Sequence, residues 1–289
     1  MTSQAEKLPA CFIGHGSPMN TLESNRYTAA WREFGESLPR PRAILAISAH
    51  WFIAATALTA MAYPRVIHDF YGFPQALFHF DYPAPGAPEI AGEIAAMVRP
   101  GFVALDSDSW GLDHGTWSVL AHMFPKADIP VLQLSIHAGE DLGYHVALGR
   151  QLAPLRDNGI LIVCSGNVVH NLRRLDRLRS DSAFDWAEDF DNRVKAIMTT
   201  HPEELLNIGS HPAYSLAVPT PEHFLPLAYL AGLAAAEGKP AQILVEGGVM
   251  GALTMTSFVV AGDPVKRVHE DGKESMTMPM DVPPEQTNI

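Results

Sequence analysis

Ile160-Leu161-Ile162-Val163-Cys164 runs without a polar residue into Ser165-Gly166-Asn167, and this stretch decides the fold. An unbroken run of apolar, mostly branched residues suits a strand buried on both faces, the habit of parallel sheets covered by helices. The same signature recurs outward from it. Ala43-Ile44-Leu45-Ala46-Ile47 stops at Ser48, Val131-Leu132-Gln133-Leu134-Ser135-Ile136 stops at His137, and Ala10-Cys11-Phe12-Ile13 stops at Gly14. Between these runs, residues 88–98, 143–156, 186–199 and 221–236 have helical character, with Pro88 suited to a first helical position. Strands alternating with helices predict a single α/β domain over residues 1–262, built on a mostly parallel central sheet flanked by helices. Residues 63–88, dense in Pro, Gly and aromatics, read as one long ordered loop. The polar, aperiodic residues 263–289 read as a poorly ordered C-terminal tail.

With 47% hydrophobic and 18% charged residues in a chain of 289, disorder as the main state is excluded and a substantial core is available. Lys and Arg number 20 against 32 Asp and Glu, a net charge of −12 with no basic stripe, which excludes nucleic-acid binding driven by phosphate contacts. The short cluster Arg173-Arg174-Leu175-Asp176-Arg177-Leu178-Arg179 reads as a solvated helix end or loop. Cys11 and Cys164, each in an apolar run, are too few for a disulfide framework and read as reduced core residues. No signal pattern opens the chain and no apolar run approaches the ~20 residues of a membrane span, so a soluble cytoplasmic protein is expected.

Histidine placement carries the chemistry. His15, His50 and His170 each follow a predicted strand or lie in the turn just after one. In open α/β sheets the functional crevice lies beyond the carboxyl ends of the strands, so these three are expected to converge there. Imidazole is a common ligand for first-row metals, and a catalytic metal needs about three protein ligands with positions left open. His15 and His50 are the best ligand candidates on this reading, and glycines on both sides of His15 allow close backbone approach. His68, His79, His122, His137, His145, His201, His211 and His269 lack such a context and read as ordinary core or surface residues. Two further segments stay open. Trp110-Gly111-Leu112-Asp113-His114-Gly115-Thr116-Trp117 suits either a flat aromatic ligand or a core turn. Pro219-Thr220-Pro221-Glu222-His223 reads as a capped helix start, compatible with a ligand role for Glu222 or His223. GxGxxG, GxxxxGK[ST] and GxSxG are all missing, which leaves dinucleotide, P-loop and serine-hydrolase readings without support.

Gly14-His15-Gly16-Ser17-Pro18-Met19-Asn20, Ser48-Ala49-His50-Trp51, Asp69-Phe70-Tyr71-Gly72-Phe73-Pro74, Leu112-Asp113-His114-Gly115, Ser165-Gly166-Asn167-Val168-Val169-His170-Asn171-Leu172 and Pro219-Thr220-Pro221-Glu222-His223 occur in this order. Together they resemble the class III (LigB-like) extradiol ring-cleavage dioxygenases, in particular the DOPA dioxygenase branch, over residues 9–258. The resemblance implies a mononuclear metal site at the C-terminal ends of the strands, with His15, His50 and His223 as ligands. It implies His170 as the acid/base, near enough to be a fourth ligand in a resting zinc form, and His114 as a contact to substrate or bound oxygen. Fe(II) is the implied active metal, with Zn(II) a possible occupant. Where the wider group has a carboxylate this chain has His223, and three neutral imidazoles make the site one charge more positive, which favours a catecholate anion. Glu222 is set aside on the ground that neighbouring helical side chains point about 100° apart. Trp51, Tyr71, Phe73 and Trp117 are expected to wall the aromatic ring. The implied partners are O2 and a small catechol, DOPA-like or a related phenolic. A zinc-dependent hydrolase and a non-catalytic Memo-like metal-binding scaffold are the alternatives on the same fold.

Overall fold

The computed structural model describes residues 7–99, 101–261 and 276–289. Its strands are β1 Ala10–Gly14, β2 Ala43–Ile53, β3 Ala57–Thr59, β4 Ala104–Asp106, β5 Val131–His137, β6 Ile160–Gly166, β7 Gln242–Val245, β8 Gly248–Val249, β9 Leu253–Thr254 and β10 Ser257–Val260. Its helices are α1 Arg26–Ser37, α2 Gln75–Phe78, α3 Pro88–Met97, α4 His114–Met123, α5 Leu142–Leu152, α6 Asp185–Thr200, α7 Tyr214–Ala217 and α8 Leu225–Glu237. One sheet runs β4-β3-β5-β2-β6-β1-β10-β7, and β8 pairs with β9 separately. The four apolar runs of the sequence are its parallel centre, β5-β2-β6-β1, while β10 and β7 extend it antiparallel.

Alternation along the central strands builds two cores, because successive side chains leave a strand on opposite faces. Phe12, Leu45, Ile47, Ile162 and Cys164 face the layer that holds α5 and α8. Cys11, Ile13, Ile44, Ala46, Leu161 and Val163 face α1 and α4. Both cysteines are buried and unpaired, as their apolar setting requires. Helix α8 is apolar all round and buried from Leu225 to Ala234, which suits a helix enclosed between the sheet, α5 and the turn at 202–210. Among the described residues no helix is long and apolar enough to cross a membrane.

Four local readings change. Strand β2 does not stop at Ser48: it advances from Ile47 to Phe52 while β5 advances only from Leu134 to Ile136, so His50 rides in a bulged stretch of the strand itself. The helix expected from 221 starts at Leu225, preceded by a turn in which Phe224 N and Leu225 N both donate to the Pro221 carbonyl, and Pro226 occupies its first turn. Helices α1 and α4 were not expected, although each carries a cap. Asn25 accepts from Tyr27 N and Thr28 N, and Asp113 accepts from Thr116 N. The fourth concerns the tail. Residues 263–275, with His269, lie outside the described residues. From Met276 onward the chain lies back on the domain: Met276, Met278 and Ile289 are buried, Tyr71 N donates to the Thr287 carbonyl, and the Arg177 guanidinium donates to the carbonyls of Pro279, Met280 and Val282. Buried apolar side chains and paired carbonyls offset the entropy of ordering a segment whose sequence shows no periodicity.

Candidate active site

Five histidines meet over the C-terminal ends of the central strands. His15 follows β1, His50 rides the bulge of β2, His170 lies in the turn after β6, His114 opens α4, and His223 precedes α8. The rings of His15, His50 and His223 form a nearly equilateral triangle, with centroids 5.2, 5.4 and 5.1 Å apart. His114 packs against His50 at 3.9 Å, and His170 stacks flat on His223 at 3.6 Å. The nitrogens of His15, His50 and His114 come within 4.8 Å of one another, as do the ligand atoms of His170, Glu222 and His223. Two glycines make room. Gly16 holds a φ of +61°, the left-handed region, as the chain turns away from His15, and a Cβ on Gly115 would lie 2.8 Å from His50 Cδ2.

Hydrogen bonds behind the rings set the tautomers. The Ser165 hydroxyl donates its only proton to the Gly115 carbonyl at 2.5 Å, so its oxygen accepts from His15 Nδ1 at 2.9 Å. His50 Nδ1 faces Asp69 Oδ2 at 3.3 Å, and His223 Nδ1 donates to Glu222 Oε1 at 3.3 Å. His114 donates to Asp69 Oδ1 from both its backbone N–H and its Nδ1, each at 3.0 Å. For His15, His114 and His223 these partners place the proton on Nδ1, while His50 only lies beside the Asp69 carboxylate, whose Oδ2 is buried without a hydrogen bond. Burial is the main cause that keeps these rings neutral: His15 and His223 are held well below the usual imidazole value, and His50 is pushed down to about 3, each further lowered by its histidine neighbours. Burial alone would raise Asp69, but the His114 and His50 rings and the two hydrogen bonds from His114 outweigh it and hold the carboxyl below its usual range.

This arrangement fits a metal cation. His15 Nε2 and His50 Nε2 face each other at 3.3 Å, within reach of one cation. The Nε2 atoms of His114, His170 and His223 are buried without a hydrogen-bond partner among the described residues. Orphaned neutral imidazole nitrogens of this kind are a donor set for a first-row metal.

Beside the rings opens a cavity of about 410 Å³. His50, His170 and His223 line it, Phe52 and Arg173 flank them, and Glu285, Asn288 and Ile289 of the C-terminal segment form a further wall. None of the four expected aromatic walls lines this cavity. Trp117 is fully buried with Nε1 donating to the Ile67 carbonyl, Trp51 is buried and stacked on Trp110 at 5.6 Å, Phe73 packs on Phe70, and Tyr71 is 64% exposed. The segment around Trp110 and Trp117 is thus a core turn at its indoles. The helical offset that set Glu222 aside does not apply either, because residues 220–223 are a turn. Glu222 Oε1 instead accepts from the Thr220 hydroxyl at 2.6 Å and from His223 Nδ1. Among the remaining histidines, His68, His122 and His145 are hydrogen-bonded to the Phe80 carbonyl, the Asn20 carbonyl and the Tyr229 hydroxyl, away from the site. Sequence reasoning missed Asp69 and Ser165. Both stood inside quoted motifs, and Ser165 ends an apolar run, the position that singled out the histidines.

An α/β sheet with neutral imidazoles converging over its strand ends defines a class, the enzymes that work through a histidine-held metal. The chain belongs to the family described as the catalytic LigB subunit of aromatic ring-opening dioxygenase, whose model matches residues 12–257. It is 50% identical over 261 residues to "4,5-DOPA dioxygenase extradiol" of Escherichia coli (strain K12), covering 88% of this chain and 95% of that one. It is 39% identical to the protein of the same name from Beta vulgaris, over 83% of this chain and 92% of that one. The crystal structure of "uncharacterized protein JW3007" from Escherichia coli K12 superposes with a TM-score of 0.77 at 44% identity, covering 88% of this chain and all of that one. The protein is therefore an oxidoreductase of the extradiol ring-opening dioxygenase class, and enzymes of this family use a metal. That class sets the hydrolase and scaffold readings aside.

Proposed function

We propose that the protein opens the ring of a catechol, DOPA-like or a related phenolic, with O2 at a single Fe(II) held by His15, His50 and His223. The observation that carries this reading is the triangle of three buried imidazoles, with His15 and His223 hydrogen-bonded through Nδ1 and His50 beside the Asp69 carboxylate. The names of the relatives from Escherichia coli and Beta vulgaris support the substrate class. When bound, the metal supplies positive charge that favours a catecholate and a route for electrons from the ring to O2.

The chain's own residues do the rest. The three ligand imidazoles add no negative charge of their own to the site. His170 is buried with Nε2 unpartnered, and burial above all holds it down to about 3, not near neutrality as an unperturbed imidazole would be. It is a neutral base that accepts a proton from a catechol hydroxyl. The negative charge of the substrate then raises its affinity for that proton, which lets it return the proton to a departing oxygen. Asp69 fixes His114 through its backbone N–H and its Nδ1, and the unpartnered Nε2 is the ring atom left to meet substrate or O2.

Metal-stripped protein reconstituted anaerobically with Fe(II) or Zn(II) tests the reading. O2 uptake with L-DOPA or catechol is expected in the Fe(II) form alone, with a new visible absorbance from the opened ring. No uptake with any catechol by the Fe(II) form overturns it.

A further inference from the structure

The basic cluster 173–179 divides by partner. Arg177 donates to three carbonyls of the C-terminal segment, and Arg179 lies 3.7 Å from Asp176 and over the Phe184 ring. Arg174 is exposed and does not line the cavity. Arg173 does line it, from the turn Leu172–Arg174, and takes part in no ion pair or hydrogen bond among the described residues. It stands three residues past His170, so its backbone lies within roughly 10 Å of that residue's. We propose that Arg173 binds a carboxylate carried on the side chain of the catechol and is the residue that selects acidic catechols over neutral ones. This rests on the ring-cleavage reading above.

The guanidinium suits this task for three reasons. Its planar fork matches a carboxylate with two parallel hydrogen bonds, and it keeps its charge at any working pH. It lines the same cavity as the histidines: they take the diol end of the ring, leaving the substituent for another lining residue. The acids that share the cavity do not neutralise it by contact. Glu222 Oε1 is engaged by Thr220 and His223, and Glu285 forms no ion pair with Arg173. Direct contact with Arg173, not long-range attraction, then discriminates between substrates.

Dihydrocaffeate and its decarboxylated analogue ethylcatechol share one ring and differ in the carboxylate. In the Fe(II) protein, R173Q is expected to lower kcat/KM for dihydrocaffeate by about ten- to a hundredfold, chiefly through KM, and to leave ethylcatechol within about twofold. R173K keeps the charge but loses the fork, so it should fall between. Anaerobic titration of each catechol, followed by tryptophan fluorescence, reads binding without turnover and should show the same selective loss. Arg173 is exposed, so the variants should melt with the parent. An equal loss on both catechols, or no loss on either, overturns the assignment. Should the parent bind both catechols yet cleave neither, the ring-cleavage reading fails, and the titration alone still decides the role of Arg173.

Discussion

Replacing Asp69 with asparagine keeps the shape of the side chain and reverses the polarity of one of its two atoms. The backbone N–H of His114 cannot be reversed, and it donates to Oδ1 together with His114 Nδ1, so the amide oxygen of D69N must occupy that position. The amide NH2 is then forced to the Oδ2 position, 3.3 Å from His50 Nδ1. A donor now stands beside His50 where an anion stood, so the ring loses the charge that holds it in place. Leaving a buried polar group without its partner costs about 1–3 kcal/mol. A tenfold change in binding is about 1.4 kcal/mol, so this corresponds to a loss of roughly five- to 150-fold, in line with the 10–100-fold typical of groups that orient metal ligands. Anaerobic competition against a chelator of known affinity should therefore show Fe(II) held about 10–100-fold more weakly by D69N, while the circular dichroism spectrum stays that of the parent. Fe(II) affinity within about twofold of the parent would refute the assignment of Asp69 as the group that orients His50.

Gly115→Ala should gain up to about 1 kcal/mol of helix propensity in α4, yet its Cβ would lie 2.5 Å from Ser48 Oγ and 2.8 Å from His50 Cδ2. Overpacking of about 1–3 kcal/mol should win, so calorimetry should find no rise in Tm and kcat/KM should fall at least about tenfold. Acid should destabilise the metal-free protein well above the carboxylate range. Burial pushes His50 and His170 down to about 3 and His145 down to about 4, while the unfolded chain titrates near roughly 6.5. Between those values the unfolded state binds more protons, so this stability is complete above about pH 6.5 and declines below it, by about 1.4 kcal/mol per pH unit for each group. Melting curves should show Tm several degrees lower at about pH 5 than at about pH 7.5, and a flat Tm over that interval would contradict it. Ending the chain before residue 276 removes Glu285, Asn288 and Ile289 from the cavity wall and strips three carbonyls from Arg177. Steady-state kinetics should show a severalfold rise in KM for the catechol with kcat largely kept, and an unchanged KM would show that this wall does not touch substrate.

The parallel centre of the sheet was legible in the chain because burial on both faces demands unbroken apolar runs, and four such runs became β1, β2, β5 and β6, with ends shifted by a residue or two except in β2, which runs on through its bulge to Ile53. His15, His50 and His170 were legible for the same reason, since the ends of those runs are where a sheet opens to its crevice. Motif order pointed to His114 and His223, but the mutual arrangement of the five did not follow from it. His50 reaches the site only because β2 bulges, and His223 stands in a turn, not on a helix. Asp69 and His114 are 45 residues apart and share three contacts of 3.0–3.3 Å with His50 included. A carboxylate in a loop has no periodic signature, so nothing in its neighbourhood marked it as the acceptor for His114. Trp51, Tyr71, Phe73 and Trp117 do not line the cavity, because an indole or phenyl ring beside a motif is recruited by the core as readily as by a pocket. The segment 276–289 was invisible for a related reason: it packs through three scattered apolar side chains and the Arg177 guanidinium rather than through a face of regular period. Hydrophobic patterning, a local property, determined the sheet and the places where chemistry could sit. Which polar groups satisfy one another there is a matter of distances between remote residues, and only the folded chain decides them.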